Sequence, residues 1–313
     1  MTQLADHGTL AIPEPTTAHP PTSLPDCDQA LAELRGAAQP WFAERPGDLV
    51  PLLERLTDSL MSHAKEWVAA ACVAKGIPDG SPFAGEEWTS ISVTARYLRL
   101  LGTSMRDLAG GHPPTAPARP HGVAGNRIAV PAFPVDVFDK AAMAGFSVDV
   151  WLKPGVTVEQ ANDRQAAAWS GGGAAGVSLV LGAGNVAAIP ITDALDRLFI
   201  ARHPVILKMN PVNDYLGPIF EQAFGELVRR GVLRIVYGGA EVGQHLVHHA
   251  EVDDVHVTGS DKTFEAIVFG GGPEGARRKA AREPAVDKPV TGELGNVSPV
   301  IVVPGPWSEK DLK

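Results

Sequence analysis

Glu293 stands between two glycines in Thr291-Gly292-Glu293-Leu294-Gly295-Asn296. A carboxylate held this way can be set against a reacting centre and tuned as a general base; the alternative is an exposed loop acid. Asn185 follows the glycine turn Gly182-Ala183-Gly184, and Lys208 comes 23 residues later, at the end of the apolar run Val205-Ile206-Leu207. Lys208 either hydrogen-bonds a ribose, pairs with a phosphate, or reaches solvent. Two further turns, Gly238 to Gly243 and Thr258-Gly259-Ser260, each lead from an apolar run into a helical pattern. Small residues there let a ligand approach the backbone, and the free N–H groups of a helix start favour phosphate. Such turns also carry glycine for packing alone. His245, His248 and His249 fall at helical spacing, but no nearby Asp, Glu or Cys supplies a third ligand, so no metal site is expected. Neither G-x-S-x-G nor G-x-x-x-x-G-K-[ST] occurs, which removes the serine hydrolases with that elbow and the P-loop NTPases.

The elements that must position these residues follow from periodicity. Val177 to Leu181 has strand length, Thr192 to Ala201 carries Leu195, Leu198 and Phe199 on one helical face, and Val205 to Lys208 is a second strand. Strand, glycine turn, helix and strand make a βαβ unit, which places Asn185 and Lys208 beyond the carboxyl ends of strands, where ligands bind. The alternation continues with a helix over 214–230, a strand over 233–237, a helix to His249 and a strand over 252–257. A helix through Phe269 and strands over 288–294 and 300–303 complete it. This pattern indicates an α/β domain with a mostly parallel sheet.

Before that domain the chain reads as helical. Leu49, Leu52, Leu53, Leu56 and Leu60 form one stripe, extended or followed by Trp67 to Val73. Trp88, Ile91, Ala95, Leu98, Leu101, Met105 and Leu108 form another, ending at Gly110-Gly111. Both stripes are expected to face the core, and Cys72 to be a buried, inert thiol. Residues 1–26, rich in Pro and Thr, read as a flexible arm. Two strand-like runs, 127–138 and 146–152, suggest an exposed hairpin over 125–155 that covers either a neighbouring subunit or its own domain.

Bulk composition narrows the partners. The 313 residues are 44% hydrophobic and 20% charged, ordinary for a globular protein. A net charge of -9 argues against nucleic acid or an anionic membrane as partner. No apolar run approaches the roughly 18 to 20 residues of a membrane span. The N-terminus does not resemble a secretory signal, and the two cysteines, Cys27 and Cys72, lack metal-like spacing, so a cytoplasmic location is expected.

Taken in order, these motifs resemble the cofactor-binding part of the aldehyde dehydrogenase superfamily. The spacing of Asn185 and Lys208 matches the family's oxyanion-hole Asn and cofactor-ribose Lys. Gly239 and Gly243 match its glycine turn, Thr258-Gly259-Ser260 its pyrophosphate-binding F-T-G-S, and Gly292-Glu293-Leu294-Gly295 its L-E-L-G-G, whose Glu activates the deacylating water. Ser298-Pro299 fits the segment that follows. The resemblance implies N-terminal helices and a Rossmann-like, mostly parallel sheet with helices on both faces, forming a cofactor domain over 27–292. It also implies NAD or NADP, an aldehyde substrate, and a homo-oligomer in the full-length protein.

The family's nucleophilic Cys comes some thirty-odd residues after the Glu. Here 20 residues follow Glu293 and none is Cys. The expectation is therefore a truncated chain, with 293–313 opening a catalytic domain, inactive alone. A non-catalytic dinucleotide-binding or subunit-interaction module of the same fold is the alternative. Gly184 replaces a common Trp, Pro211 an acid that often binds the adenine ribose, Phe264 the last Gly of G-S-T-x-x-G, and Asn296 a second Gly.

Overall fold

The computed structural model describes residues 19–114, 118–163, 166–295, 301, 303 and 305–310. Three long helices come first: α1 (Leu24–Phe42), α2 (Pro46–Ala74) and α3 (Ala84–Ala109). The Oγ of Ser23 caps α1 by accepting from the Asp26 N–H at 3.2 Å. Residues 19–26 are therefore not part of an arm. Thr22 exchanges two hydrogen bonds with the backbone of Tyr237, His19 stacks on its ring, and Cys27 is buried one turn into the helix. Residues 1–18 lie outside the described residues.

A three-stranded antiparallel sheet follows, built from β1 (His121–Val123), β2 (Arg127–Phe133) and β3 (Val148–Trp151) in that order, with α4 (Val137–Ala142) inserted. The strand expected over 127–138 stops at Phe133 because Asp136 caps α4. Val148, Val150 and Trp151 are exposed. After α5 (Val158–Asp163) the chain enters the main sheet.

Its strands are β4 (Ser178–Leu181), β5 (Val205–Lys208), β6 (Leu233–Val236), β7 (Asp254–Gly259) and β8 (Val290–Leu294), all parallel, in the order β6-β5-β4-β7-β8. The connecting helices are α6 (Ile189–Asp196), α7 (Gly217–Ala223), α8 (Gly225–Arg229), α9 (Ala240–His248) and α10 (Asp261–Phe269), with α11 (Gly272–Ala281) after α10. A parallel sheet buried on both faces needs apolar side chains in both directions. Val180, Val205 and Leu207 point into the larger core with α2, α3, α6 and α7, whereas Leu179, Ile206 and Val255 point into a second core with α1 and α9.

The expected βαβ unit is present, but its helix begins at Ile189, and residues 197–201 form a π-helical turn. The expected helix over 214–230 is divided at Phe224 into α7 and α8, after a short 3-10 turn over 214–216. One stripe is rotated at its start: Glu87 is fully buried and Trp88 is 44% exposed, because the Glu87 carboxylate accepts from Lys75 Nζ (2.5 Å) at the end of α2. Cys72 is half-buried rather than buried. The strand expected over 300–303 lies mostly outside the described residues; Ile301 and Val303, which are described, belong to no strand.

Candidate functional site

The carboxyl ends of the parallel strands open into a cavity of about 900 Å³. Asn185, Lys208, Gly239, Gly243, Thr258, Gly259, Ser260 and Glu293 all line it. Residues 108 positions apart in the chain thus meet because parallel strands deliver their carboxyl ends to one edge.

Strand register assigns them to two sides of that edge. Lys208 points the same way as Ile206, toward α1 and α9, and the start of α9 supplies Gly239, Ala240, Gly243 and Gln244 beside it. Thr258 and Glu293 are paired neighbours on β7 and β8 and face α6. The cavity therefore wraps around the strand ends from the α9 side to the α6 side.

Lys208 is 9% exposed, and burial lowers its pKa below the usual lysine value. Among the described residues its ammonium has no hydrogen-bond or ion-pair partner. A buried, unpaired cation is costly, so a ligand anion or hydroxyl beside it gains a partner already in place. Ser260 is the N-cap of α10; its Oγ accepts from the Thr263 N–H at 3.1 Å. A Cβ added at Gly239 or Gly259 would meet nothing within 4 Å, so the backbone there lies open to the cavity.

Asn185 is exposed in the turn after β4, and its amide makes no hydrogen bond among the described residues. The glycine before it has a steric reason. A Cβ at Gly184 would lie 2.9 Å from the Asn210 side chain, so a larger residue would displace Asn210. Phe264 has a similar counterpart: its ring occupies the space a Cβ on Gly292 would fill, at 2.7 Å. Helix α10 and strand β8 therefore fit as an aromatic against a glycine.

Glu293 is exposed, with no hydrogen-bond partner or ion pair among the described residues. Behind it lies a polar network that sequence reasoning missed. Thr258 Oγ1 donates to Asp193 Oδ2 (2.7 Å), His256 Nε2 lies 3.6 Å from the same oxygen, and His256 Nδ1 is 2.8 Å from Thr291 Oγ1. Burial, with the charges of Glu293 and Asp196 added and the Thr258 hydrogen bond opposing, raises the Asp193 pKa to about 6. Burial and then the Arg197 charge lower that of His256, which favours a neutral ring. The available signal was an acid inside the apolar helix 189–196 and a His inside the strand Val255-His256-Val257.

Cys27 is buried and its pKa is raised to about 11 by burial and then by Asp28 and Asp26, while Cys72 sits among the N-terminal helices. Neither thiol lines the cavity. Ser178, His203 and Asp254 also cluster, but at the amino-terminal edge of the sheet. There the Ser178 hydroxyl donates to Asp254 (2.7 Å), and both ring nitrogens of His203 are engaged, with Asp254 and with Ala174 O. A hydroxyl that donates to a carboxylate is not being activated by the imidazole.

The aldehyde dehydrogenase family model matches residues 155–306. Among solved structures, a mutant aldehyde dehydrogenase C from Pseudomonas syringae, in complex with NAD+ and octanal, is 18% identical. Its match covers 91% of this chain and 45% of that one, with a TM-score of 0.55. A lactaldehyde dehydrogenase is 17% identical over 92% of this chain and 49% of its own, with a TM-score of 0.56. The NADP-dependent glyceraldehyde-3-phosphate dehydrogenase from Bacillus halodurans, in complex with NADP, is 16% identical, with 88% and 46% covered and a TM-score of 0.55. The chain spans less than half the length of these structures. Residues 155–306 thus match the aldehyde dehydrogenase family model, and the chain shares the α/β fold of these solved aldehyde dehydrogenases.

Proposed function

We propose that this chain is the NAD- or NADP-binding part of an aldehyde-oxidising dehydrogenase. One observation carries the reading: eight residues drawn from five segments of the sequence line one cavity at the carboxyl edge of a parallel sheet, with Lys208 buried inside it and unpaired among the described residues. The residues present fit a dinucleotide. Lys208 would hold a ribose hydroxyl or a phosphate, Gly239 and Gly243 leave room beside it, and the start of α10 at Ser260 lines the cavity where its dipole would favour the pyrophosphate. The bound dinucleotide supplies a hydride acceptor.

The chain's own groups then divide the remaining work. The Asn185 amide donates to the oxygen of a carbonyl brought to the cavity mouth, stabilising charge that develops there. Glu293, exposed and unpaired among the described residues, takes a proton from a water. The Thr258 hydroxyl is committed to Asp193 and holds the wall behind Glu293 rather than the cofactor. Attack by a thiolate requires a cysteine other than Cys27 and Cys72, since both lie away from the cavity. This chain by itself therefore binds the dinucleotide and does not oxidise aldehydes. The same placement of the thiols favours the second reading, a non-catalytic binding or subunit-interaction module. The exposed β3 residues Val148, Val150 and Trp151 are the proposed contact between copies.

Titration of the purified chain with NAD+ and NADP+ by calorimetry tests the reading. Binding of either supports it, and absence of both overturns it. Aldehyde-dependent formation of reduced cofactor by this chain alone would overturn the division of work.

A further inference from the structure

The histidines of α9 lack a third ligand in the local sequence, and tertiary structure brings one. Asp28, in the second turn of α1, places Oδ1 at 2.5 Å from His245 Nε2 and at 3.4 Å from His249 Nε2. His245 lies in the last turn of α9 and His249 is the C-cap that follows it, their rings 5.6 Å apart. The three ligand atoms all lie within 4.8 Å of one another. Beside them is a recess of about 490 Å³ lined by Leu24, Glu241, Gln244, His245, His248 and His249. Glu241 is one turn before His245 on the same face, and the recess is open to solvent there, where water would complete the coordination.

From this arrangement we infer that Asp28, His245 and His249 form a binding site for a divalent transition-metal ion of the zinc class. Two imidazoles and one carboxylate suit Zn2+ and its neighbours rather than Mg2+ or Ca2+, which take oxygen ligands. Bonds of about 2.0 to 2.2 Å from each atom to a shared ion require the side chains to open by a few tenths of an ångström to about 1 Å. That movement is available to partly exposed groups, with side chains 49%, 27% and 21% exposed.

Hydrogen bonding ranks the ligands. Among the described residues the His245 ring hydrogen-bonds to Asp28 alone, so its Nε2 lone pair becomes available once its proton leaves. His249 Nδ1 accepts from the Glu251 N–H at 3.1 Å, so in the metal-free protein its Nε2 carries the proton. Coordination through Nε2 moves that proton to Nδ1 and breaks the Glu251 contact, which makes His249 the weaker imidazole ligand. The ion would fasten α1 to α9. Because Gln244 and His248 line both the recess and the large cavity, the site lies directly behind the cavity wall.

Calorimetric titration of tag-free, chelator-treated chain with ZnCl2 tests this. The expected result is saturable binding of about one equivalent, weakened by about tenfold or more in His245→Ala, less in Asp28→Asn and least in His249→Ala. Co2+ should give a visible absorption band that Zn2+ abolishes and Mg2+ does not, and Zn2+ should raise the unfolding temperature of the parent chain but not of His245→Ala. The proposal is overturned by no binding near one equivalent, by parent-like affinity in both His245→Ala and Asp28→Asn, or by equal competition from Mg2+ or Ca2+. Unfolding of each metal-free variant checks that it retains the fold.

Discussion

The two edges of the parallel sheet carry similar side chains and treat them in opposite ways. At the amino-terminal edge, Asp254 Oδ2 accepts from Ser178 and His203 while its Oδ1 is left to the Arg197 charge 4.0 Å away, and Asp253 accepts from the Val177 N–H and from Arg35. At the carboxyl edge, Lys208, Asn185 and Glu293 have no partner among the described residues, although Lys208 is only 9% exposed. Polar side chains whose bonds are met inside the protein stabilise it, and those left open are available to a ligand. The chemistry of an edge is therefore read from its unmet bonds rather than from its residue types.

Substitutions at each edge should separate the two roles. The largest effect belongs to Asp254→Ala, which leaves His203 and Ser178 partly buried without their acceptor. Urea unfolding should show a loss of about 3 kcal/mol or more, with dinucleotide affinity unchanged. A loss of affinity in a chain that still folds would break the contrast. Lys208→Met should act in the reverse sense: removing a buried unpaired cation holds or raises stability, while calorimetry shows dinucleotide binding weaker by about 1 to 3 kcal/mol. Unchanged affinity removes Lys208 from the site.

A smaller effect is expected from Asp193→Asn, and it depends on pH. The folded pKa of Asp193, about 6, lies above that of an unfolded Asp, so the folded state favours the protonated acid. Stability from this group is complete below the unfolded value and is lost as pH rises through about 6. The amide should therefore stabilise by about 1 to 2 kcal/mol at pH 7 and hardly at all at pH 3.5. Equal effects at both pH values would contradict it. His203 titrates in the opposite structural setting. Burial alone would lower its pKa, but the hydrogen bond and charge of Asp254 outweigh it and raise the value above the usual 6.5. That contribution is present below the unfolded pKa and fades as pH rises through the folded one, and it should disappear in Asp254→Asn. The smallest change, about 1 kcal/mol or somewhat more, is expected for Gly292→Ala, whose methyl would meet the Phe264 ring. A neutral result in unfolding experiments would mean that the ring moves aside freely.

Much of the site was legible because its parts are local. A strand, a glycine turn and a helix are short-range patterns, and parallel connection brings their carboxyl ends together without further information. Asn185, Lys208, Gly239, Gly243, Thr258, Gly259, Ser260 and Glu293 were all named from such patterns, and all line the cavity. The acceptor of the Thr258 hydroxyl, Asp193, was not legible, because it is 65 residues away.

What the sequence determined by itself was thus the alternation of strands and helices and the identity of the residues at the strand ends. Periodicity and turn chemistry act over a few residues and survive in any context. Tertiary structure alone decided that residues 19–26 dock against Tyr237, and that Glu87 is buried where Trp88 was expected. It likewise decided that Asp254 collects Ser178 and His203, and that Asp28 meets two histidines 217 and 221 positions away. Those contacts join elements whose order in the sheet and packing face are fixed by the burial of both cores. A polar partner on another element is therefore chosen by where its backbone comes to rest, which no local spacing records.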